Sequence, residues 1–319
     1  MTIEARLVKV LCLLPLTAFT ACVRPAPSLD PTTIASPSVR VQVEDGTVTR
    51  LGIEEYVTGS ILAEADIRGL NRTTIERVVQ TQAILARTYA LANRNRHRNE
   101  GFDLCSTTHC QVYRSTEHLS PHNANISRFA ATSTAGLVIT HGGIPINAVF
   151  HADCGGGTSN AEVVWGGLTP PYLQAVDDSF CLLHNPMSWK VAMSNEDLLA
   201  TLNTDARTRI GRQLQEFRII EKDASGRVQR LLIGGDESTS KVRGEEFRQV
   251  ITRRLGPNSL KSTRFTIRRQ DNGFVFEGQG WGHGIGLCQR GAAARASAGQ
   301  DPSEILSHYY HNTSLTQYY

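Results

Sequence analysis

The chain has 319 residues, an ordinary apolar content of 40% and a formal charge of +3. That length suffices for one large domain or two smaller ones. The small net charge, and a sequence in which no Lys/Arg run is interleaved with aromatics, exclude a nucleic-acid partner.

The N-terminus reads as a targeting segment. Arg6 and Lys9 precede an apolar run from Val10 to Ala21 that is too short to span a bilayer as a helix. It ends T-A-F-T-A-C. Small residues before a Cys resemble a bacterial lipoprotein signal, with residues 1–21 removed and lipid on the Cys22 sulfur. Phe19 departs from the usual Leu, Val or Ile, so ordinary secretion is the alternative. Residues 22–38 hold Pro25, Pro27, Pro31 and Pro37 among Ser and Thr, the composition of an extended tether. The expectation is an exported lipoprotein, held to a membrane by its lipid and facing the periplasm or cell wall, with residues 39–319 as its domain.

The domain opens with a hairpin, V-R-V-Q-V and T-V-T-R-L about Asp45-Gly46, a strong turn signal. Next, Ile53, Tyr56, Val57, Ser60 and Ile61 recur with the period of one helix face. Glu64 is the next position on that face, within ~20° of Ile53 at ~100° per residue. Glu54, Glu55 and Asp66 point elsewhere and read as solvated. A carboxylate inside an apolar stripe has a raised pKa, as a general acid at neutral pH requires. Periodicity alone leaves open whether the helix reaches Glu64 or ends near Ala63. A second helix follows, with a capping box from Thr73 and Glu76 and an apolar stripe through Ile75, Val78, Val79, Ala83, Ala86 and Ala90. Arg87, at the stripe's edge, either snorkels to solvent or grips a carboxylate or ligand.

Five cysteines lie beyond the leader: Cys105, Cys110, Cys154, Cys181 and Cys288. For an exported chain the expected disulfides are Cys105–Cys110 and Cys154–Cys181, leaving Cys288 odd. The rival at C-S-T-T-H-C is a structural zinc on Cys105, His109 and Cys110, with His97 the nearest fourth ligand. Disulfide ranks ahead of zinc, and no cofactor is required.

The middle of the chain reads as scaffold. A strand end, a cap at Ser194 or Asn195 and a helix are expected across Val191–Leu202, and a hairpin about Ser225-Gly226. A helix should begin at Lys241 and stop at Gly256-Pro257. Strands and helices mix without βαβ alternation, so the expected class is α+β, a single mixed helix–strand domain with a substrate cleft.

The densest signal comes near the end, in G-Q-G-W-G-H-G-I-G-L-C-Q-R-G-A (Gly278–Ala292). Glycines alternate from Gly278 to Gly286 around Trp281 and His283. A core strand avoids such density, whereas a loop that must approach a ligand uses it. It follows a strand at Phe274–Glu277 and precedes a helix.

Four segments in order, E-E-Y-V-T-G-S-I-L-A-E (Glu54–Glu64), A-I-L-A-R-T-Y-A-L (Ala83–Leu91), F-H-A-D-C-G-G-G-T (Phe150–Thr158) and G-W-G-H-G-I-G-L-C-Q-R-G-A (Gly280–Ala292), together resemble the SpoIID/LytB family of sporulation peptidoglycan hydrolases and amidase enhancers. The resemblance runs from about Val39 to the C-terminus. It implies a lytic transglycosylase that cleaves the MurNAc–GlcNAc bond of peptide-stripped glycan strands and leaves 1,6-anhydro-MurNAc ends. It puts the catalytic Glu at Glu64 and the family Arg at Arg87. Substrate binding is assigned to Arg87, His151, Asp153, Trp281 and His283. Asp153 as a second catalytic carboxylate ranks below a hydrogen-bonding role. The partners implied are glycan strands and a cell-wall amidase. A non-catalytic, glycan-binding amidase enhancer is the alternative; a zinc amidase is weaker, for lack of an H-E-x-x-H. The chain departs from sporulation-type members in a longer Glu64–Arg87 spacing, around residues 67–71, and in its cysteines: Cys154-Gly-Gly replaces SGG, and Cys288 stands at a position often Ser or Ala.

Overall fold

In a computed structural model of the chain, which describes residues 36–183 and 187–319, the first hairpin pairs β1 (Ser38–Gln42) with β2 (Val48–Gly52) in antiparallel register. Its turn closes as the Asp-Gly pair requires, with Gly46 at φ 86° and the Thr47 N–H on Asp45 Oδ1. A short strand, β3 (Leu104–Cys105), adds parallel to β1. The expected signal peptide, the Cys22 lipidation site and residues 22–35 of the tether lie outside the described residues. Among the described residues no helix is long and apolar enough to cross a membrane.

Helix α1 (Ile53–Glu64) follows β2 without a loop. Ile53, Tyr56, Val57, Ser60 and Ile61 are all buried, and the helix runs through Glu64 before Ala65 turns extended. Its first turn carries Glu54 and Glu55, which suit the positive end of the helix dipole. Helix α2 (Arg72–Ala92) starts two residues earlier than the capping box predicted: Asn71 is the cap, its side chain accepting from the Thr74 N–H at 2.9 Å. Asn, like Thr, offers a side-chain oxygen as acceptor, and Glu76 instead pairs with Arg72 at 3.0 Å. Helix α3 (Pro121–Ser133), which periodicity did not reveal, packs Ala130 and Ala131 against Val57, Ile61, Val79, Ala83 and Ala86. Small residues on three helices let their backbones approach closely. Strand β4 (Leu137–His141) lies between Ile144–Pro145 and the C-terminal strand Ser314–Gln317.

Residues 187–279 form a second region with its own core. Two three-stranded antiparallel sheets, one of Leu214–Lys222, Val228–Gly235 and Thr239–Arg243 and one of Ser188–Ser194, Phe265–Gln270 and Gly273–Gln279, bury Trp189, Phe247, Phe265, Phe274 and Phe276 among aliphatic neighbours. Ser194 caps the helix Asn195–Leu202 by accepting from Asp197 N–H. Lys241–Arg243 belongs to a strand rather than to the expected helix, which begins at Gly244. Strand pairing with Val228–Gly235 outweighs the weak helix preference of three residues there. The helix stops at Gly256, φ 88°, as expected. Helices and strands are mixed without regular βαβ alternation, an α+β arrangement, and the described residues form one compact unit.

Candidate functional site

Glu64 closes α1 at a seam. The Val112 N–H donates to its Oε1 at 2.6 Å. Gln289, in the helix Gln289–Ser297 that follows the glycine-rich loop, donates to the Glu64 carbonyl at 3.1 Å and to Gln82 Oε1 of α2 at 3.3 Å. Burial pushes the Glu64 carboxyl from an ordinary 4.5 up to about 7, against the single stabilising N–H of Val112. With no cation bonded to it among the described residues, the side chain holds its proton near neutrality and can both give and retake one. Gln289 lay inside the quoted motif but carried no periodic signal. Val112 contributes a backbone group, which no side-chain pattern reports.

The glycine-rich loop folds against the H-A-D-C-G-G-G-T segment. Leu287-Cys288 pairs in parallel with Phe150-His151, and Trp281 pairs with Asp153 through both backbone hydrogen bonds. Gly280, Gly282, Gly284 and Gly286 all have φ between 67° and 104°. A Cβ at Gly280 would stand 2.6 Å from the Asp153 carbonyl oxygen, and one at Gly286 would strike that of Val149. The glycines thus serve close approach between two chain segments, in conformations other residues rarely adopt.

Trp281 and His283 are partly exposed. Lys261 Nζ lies 5.1 Å from the Trp281 ring, and His283 packs between Trp165 and His151, with ring centroids 5.2 and 5.4 Å away. Burial, with Arg248 and Arg227 nearby, lowers the His283 pKa to about 3, so the ring is neutral. Its Nδ1 accepts from the Ile285 N–H at 3.0 Å, which puts the ring proton on Nε2. Trp165 was not foreseen, since it stands alone in its segment.

Three expected ligand contacts need correction. Arg87 is 0% exposed and forks onto Glu54, Nε to Oε1 at 2.9 Å and Nη2 to Oε2 at 2.6 Å, while also bonding the carbonyls of Ala131 and Leu137. It grips a carboxylate inside the fold and has no surface for a ligand. Glu54, read as solvated, is that partner, and also receives the Tyr319 hydroxyl and the Gly136 N–H. His151 is buried, with its Nδ1 on the Ile285 carbonyl at 3.1 Å. Asp153 is buried too: Oδ1 accepts from Gly155 N–H at 2.7 Å and Oδ2 from Met187 N–H at 2.9 Å. Both brace the loops. Burial raises the Asp153 pKa and depresses that of His151. A groove of about 680 Å³ lined by Trp189, Lys222, Arg264 and Gln279 lies on the second region and includes none of the expected site residues.

The disulfide expectation is also corrected: Cys105, Cys110, Cys154, Cys181 and Cys288 are all free thiols. Cys105, Cys110, His97 and His109 instead bring one ligand atom each within 4.8 Å of the others. His97 Nε2 lies 3.3 Å from Cys110 Sγ, and His109 Nδ1 3.6 Å from Cys105 Sγ. Two sulfurs and two imidazoles converging in this way fit a tetrahedral structural zinc. Cys110 is two residues from Val112, so an ion there would hold the segment that touches Glu64.

A family model described as Stage II sporulation protein matches residues 42–141, and a domain of unknown function (DUF8618) matches residues 184–286. An uncharacterized protein of Brachyspira hyodysenteriae is 32% identical over 275 residues, covering 85% of this chain and 68% of that protein. The Stage II sporulation protein D of Bacillus amyloliquefaciens is 27% identical across 92% of this chain and 83% of its own length. The Amidase enhancer of Bacillus subtilis (strain 168) is 26% identical over 75% of this chain, which spans only 38% of that protein.

Proposed function

The chain belongs to the SpoIID/LytB family, and from that premise we propose that it is a peptidoglycan lytic transglycosylase with Glu64 as its single acid/base. The carrying observation is a half-buried carboxylate with a pKa of about 7, one backbone donor and, among the described residues, no bonded cation. Protonated Glu64 gives its proton to the glycosidic oxygen as the MurNAc C1–O bond breaks through an oxocarbenium-like transition state. The resulting carboxylate takes the proton of the same sugar's 6-hydroxyl as that oxygen closes on C1. The proton returns to Glu64, and the products are a free GlcNAc hydroxyl and an anhydro-MurNAc end. No water is consumed, so the second carboxylate of hydrolytic glycosidases is not required. That agrees with Asp153 being engaged in bracing.

Trp281 and His283 are partly exposed rings of the glycine-rich loop and serve the sugars in this reading. Trp281 offers an apolar face, and neutral His283 a fixed hydrogen-bonding tautomer. The Cys105–Cys110–His97–His109 group holds a structural zinc. The chain is exported, anchored through Cys22, and meets glycan strands cleared by a cell-wall amidase.

A second reading has its own support, the similarity to a protein named Amidase enhancer. In that case the cleft binds glycan and stimulates an amidase without cleaving. The purified protein and a Glu64→Gln variant, each given amidase-stripped glycan strands, decide between the two by mass spectrometry. Anhydro-MurNAc ends from wild type alone support the transglycosylase. Glycan binding without cleavage by either protein rejects it in favour of the enhancer.

A further inference from the structure

Beneath the paired glycine loops lies a second cysteine group that the proposed reaction does not use. Cys154, Cys181, Cys288 and Asp178 are all 0% exposed, and one ligand atom from each lies within 4.8 Å of the rest. Cys288 Sγ stands 3.6 Å from Cys181 Sγ, and Cys154 Sγ 3.5 Å from Asp178 Oδ2. Zinc bonds of ~2.3 Å to sulfur and ~2.1 Å to oxygen set tetrahedral edges of roughly 3.5–3.8 Å. The spacing is therefore that of ligands around one ion. A single disulfide among these residues would leave the third sulfur and the carboxylate buried together without a shared partner.

A second observation is independent of spacing. Backbone N–H groups point at the sulfurs: Cys154 N–H to Cys288 Sγ at 3.2 Å, Gly291 N–H to Cys288 Sγ at 3.3 Å, and Gly156 N–H to Cys154 Sγ at 3.4 Å. A thiol is a weak acceptor, whereas a thiolate on a metal is oriented and stabilised by such donors. The carboxylate is held in the same manner, with the Tyr309 hydroxyl on Asp178 Oδ2 at 2.7 Å and Arg295 Nη2 3.4 Å from Oδ1. Arg227, fully buried, donates to the Cys154 carbonyl at 2.9 Å, and its Nε and Nη1 lack hydrogen-bond partners among the described residues. Three thiolates and a carboxylate on a divalent ion leave roughly two negative charges, and Arg227 and Arg295 sit where they offset them.

We propose that Cys154, Cys181, Cys288 and Asp178 bind one divalent, thiolate-preferring metal ion, zinc by ligand chemistry, in a closed structural site. Each of the three thiols loses its proton to solvent as its sulfur–metal bond forms, and nothing is oxidised or reduced. The ion clamps the two loops: Cys154 follows Asp153, which pairs with Trp281, while Cys288 pairs with His151. Asp178 joins from a third segment, its N–H on the Gly156 carbonyl at 3.0 Å.

The test uses the full chain with Cys105→Ser and Cys110→Ser, so that the other Cys–His group is disabled, purified without chelator. Elemental analysis should give one zinc per chain, lost on adding Cys181→Ser. Exchange into cobalt should give intense thiolate-to-metal charge-transfer absorption that the triple variant lacks. Should the double variant not fold, the single Cys181→Ser chain must lose one zinc equivalent relative to wild type. Metal-free protein that takes up neither ion after reduction overturns the proposal. So does a peptide map linking any two of Cys154, Cys181 and Cys288. The readout is metal content, so it stands or falls independently of glycan cleavage.

Discussion

At one end of α1, Glu54 receives a guanidinium fork, a phenol and a backbone N–H; at the other, Glu64 receives one backbone N–H. Both carboxyls lose water on folding. Burial alone would push Glu54 up, but the Arg87 fork and its charge, with Tyr319 and Gly136, hold it below the usual carboxylate range. Glu64 lacks such compensation and rises to about 7. The same residue type on one helix thus becomes an anchor or an acid according to the donors the rest of the chain brings to it.

Breaking the acid has the largest expected effect. Glu64→Gln should lower glycan cleavage about 10²–10⁴-fold, the usual worth of a positioned acid/base. In wild type the rate should fall above pH 7 as the acid form is lost, which a pH profile of kcat/KM checks. Breaking the anchor acts on stability instead. Arg87→Met leaves Glu54 half-buried without its cation and should cost about 3–5 kcal/mol in denaturant unfolding. Adding Glu54→Gln should return part of that loss.

The two ends should also respond oppositely to pH. The folded pKa of Glu64 lies above its unfolded value, so ionising it opposes folding. Its contribution is fully retained below about 4.5 and lost as pH rises through about 7, amounting to about 3 kcal/mol. Glu64→Gln should accordingly raise Tm relative to wild type at pH 8 and leave it nearly unchanged at pH 4. Glu54, depressed, stabilises above its unfolded pKa and loses that contribution as pH falls through its folded one. A Glu54→Gln chain should therefore lose its stability deficit at low pH.

Smaller changes sharpen the contrast. A Cβ at Gly59 would fall on the Tyr113 ring and within 2.5 Å of the Arg114 carbonyl oxygen. Gly59→Ala should cost about 2 kcal/mol and lower kcat by moving the segment that carries Val112. Tyr319→Phe removes one hydrogen bond from Glu54 and should cost about 1 kcal/mol without altering cleavage. Thermal melts beside activity assays separate the two.

Much of the scaffold was legible in the chain. The Asp45-Gly46 hairpin, the apolar face of α1, the Ser194 cap and the Gly256 stop are local matters of backbone preference and period, and each appears where expected. Helix α3 escaped because its buried face is made of Ala and Ser, which carry little hydrophobic signal. Lys241–Arg243 went to a strand because its partner, Val228–Gly235, is supplied by the tertiary fold. The strongest sequence feature, the alternating glycines, is explained by close approach to another chain segment as well as by any ligand.

By itself, then, the sequence determined the α+β class, the family and the apolar face of α1, because these depend on period, turn chemistry and order along the chain; that α1 runs through Glu64 was decided by the structure. Only the tertiary structure decided what each polar residue meets. It turned Arg87 inward onto Glu54 and, among the described residues, left Glu64 without a cation. It also gathered cysteines more than a hundred residues apart beside one aspartate, with Cys154 and Cys288 separated by 134 positions. Charge and ligation are properties of neighbours in space, and no spacing in the chain states who those neighbours are.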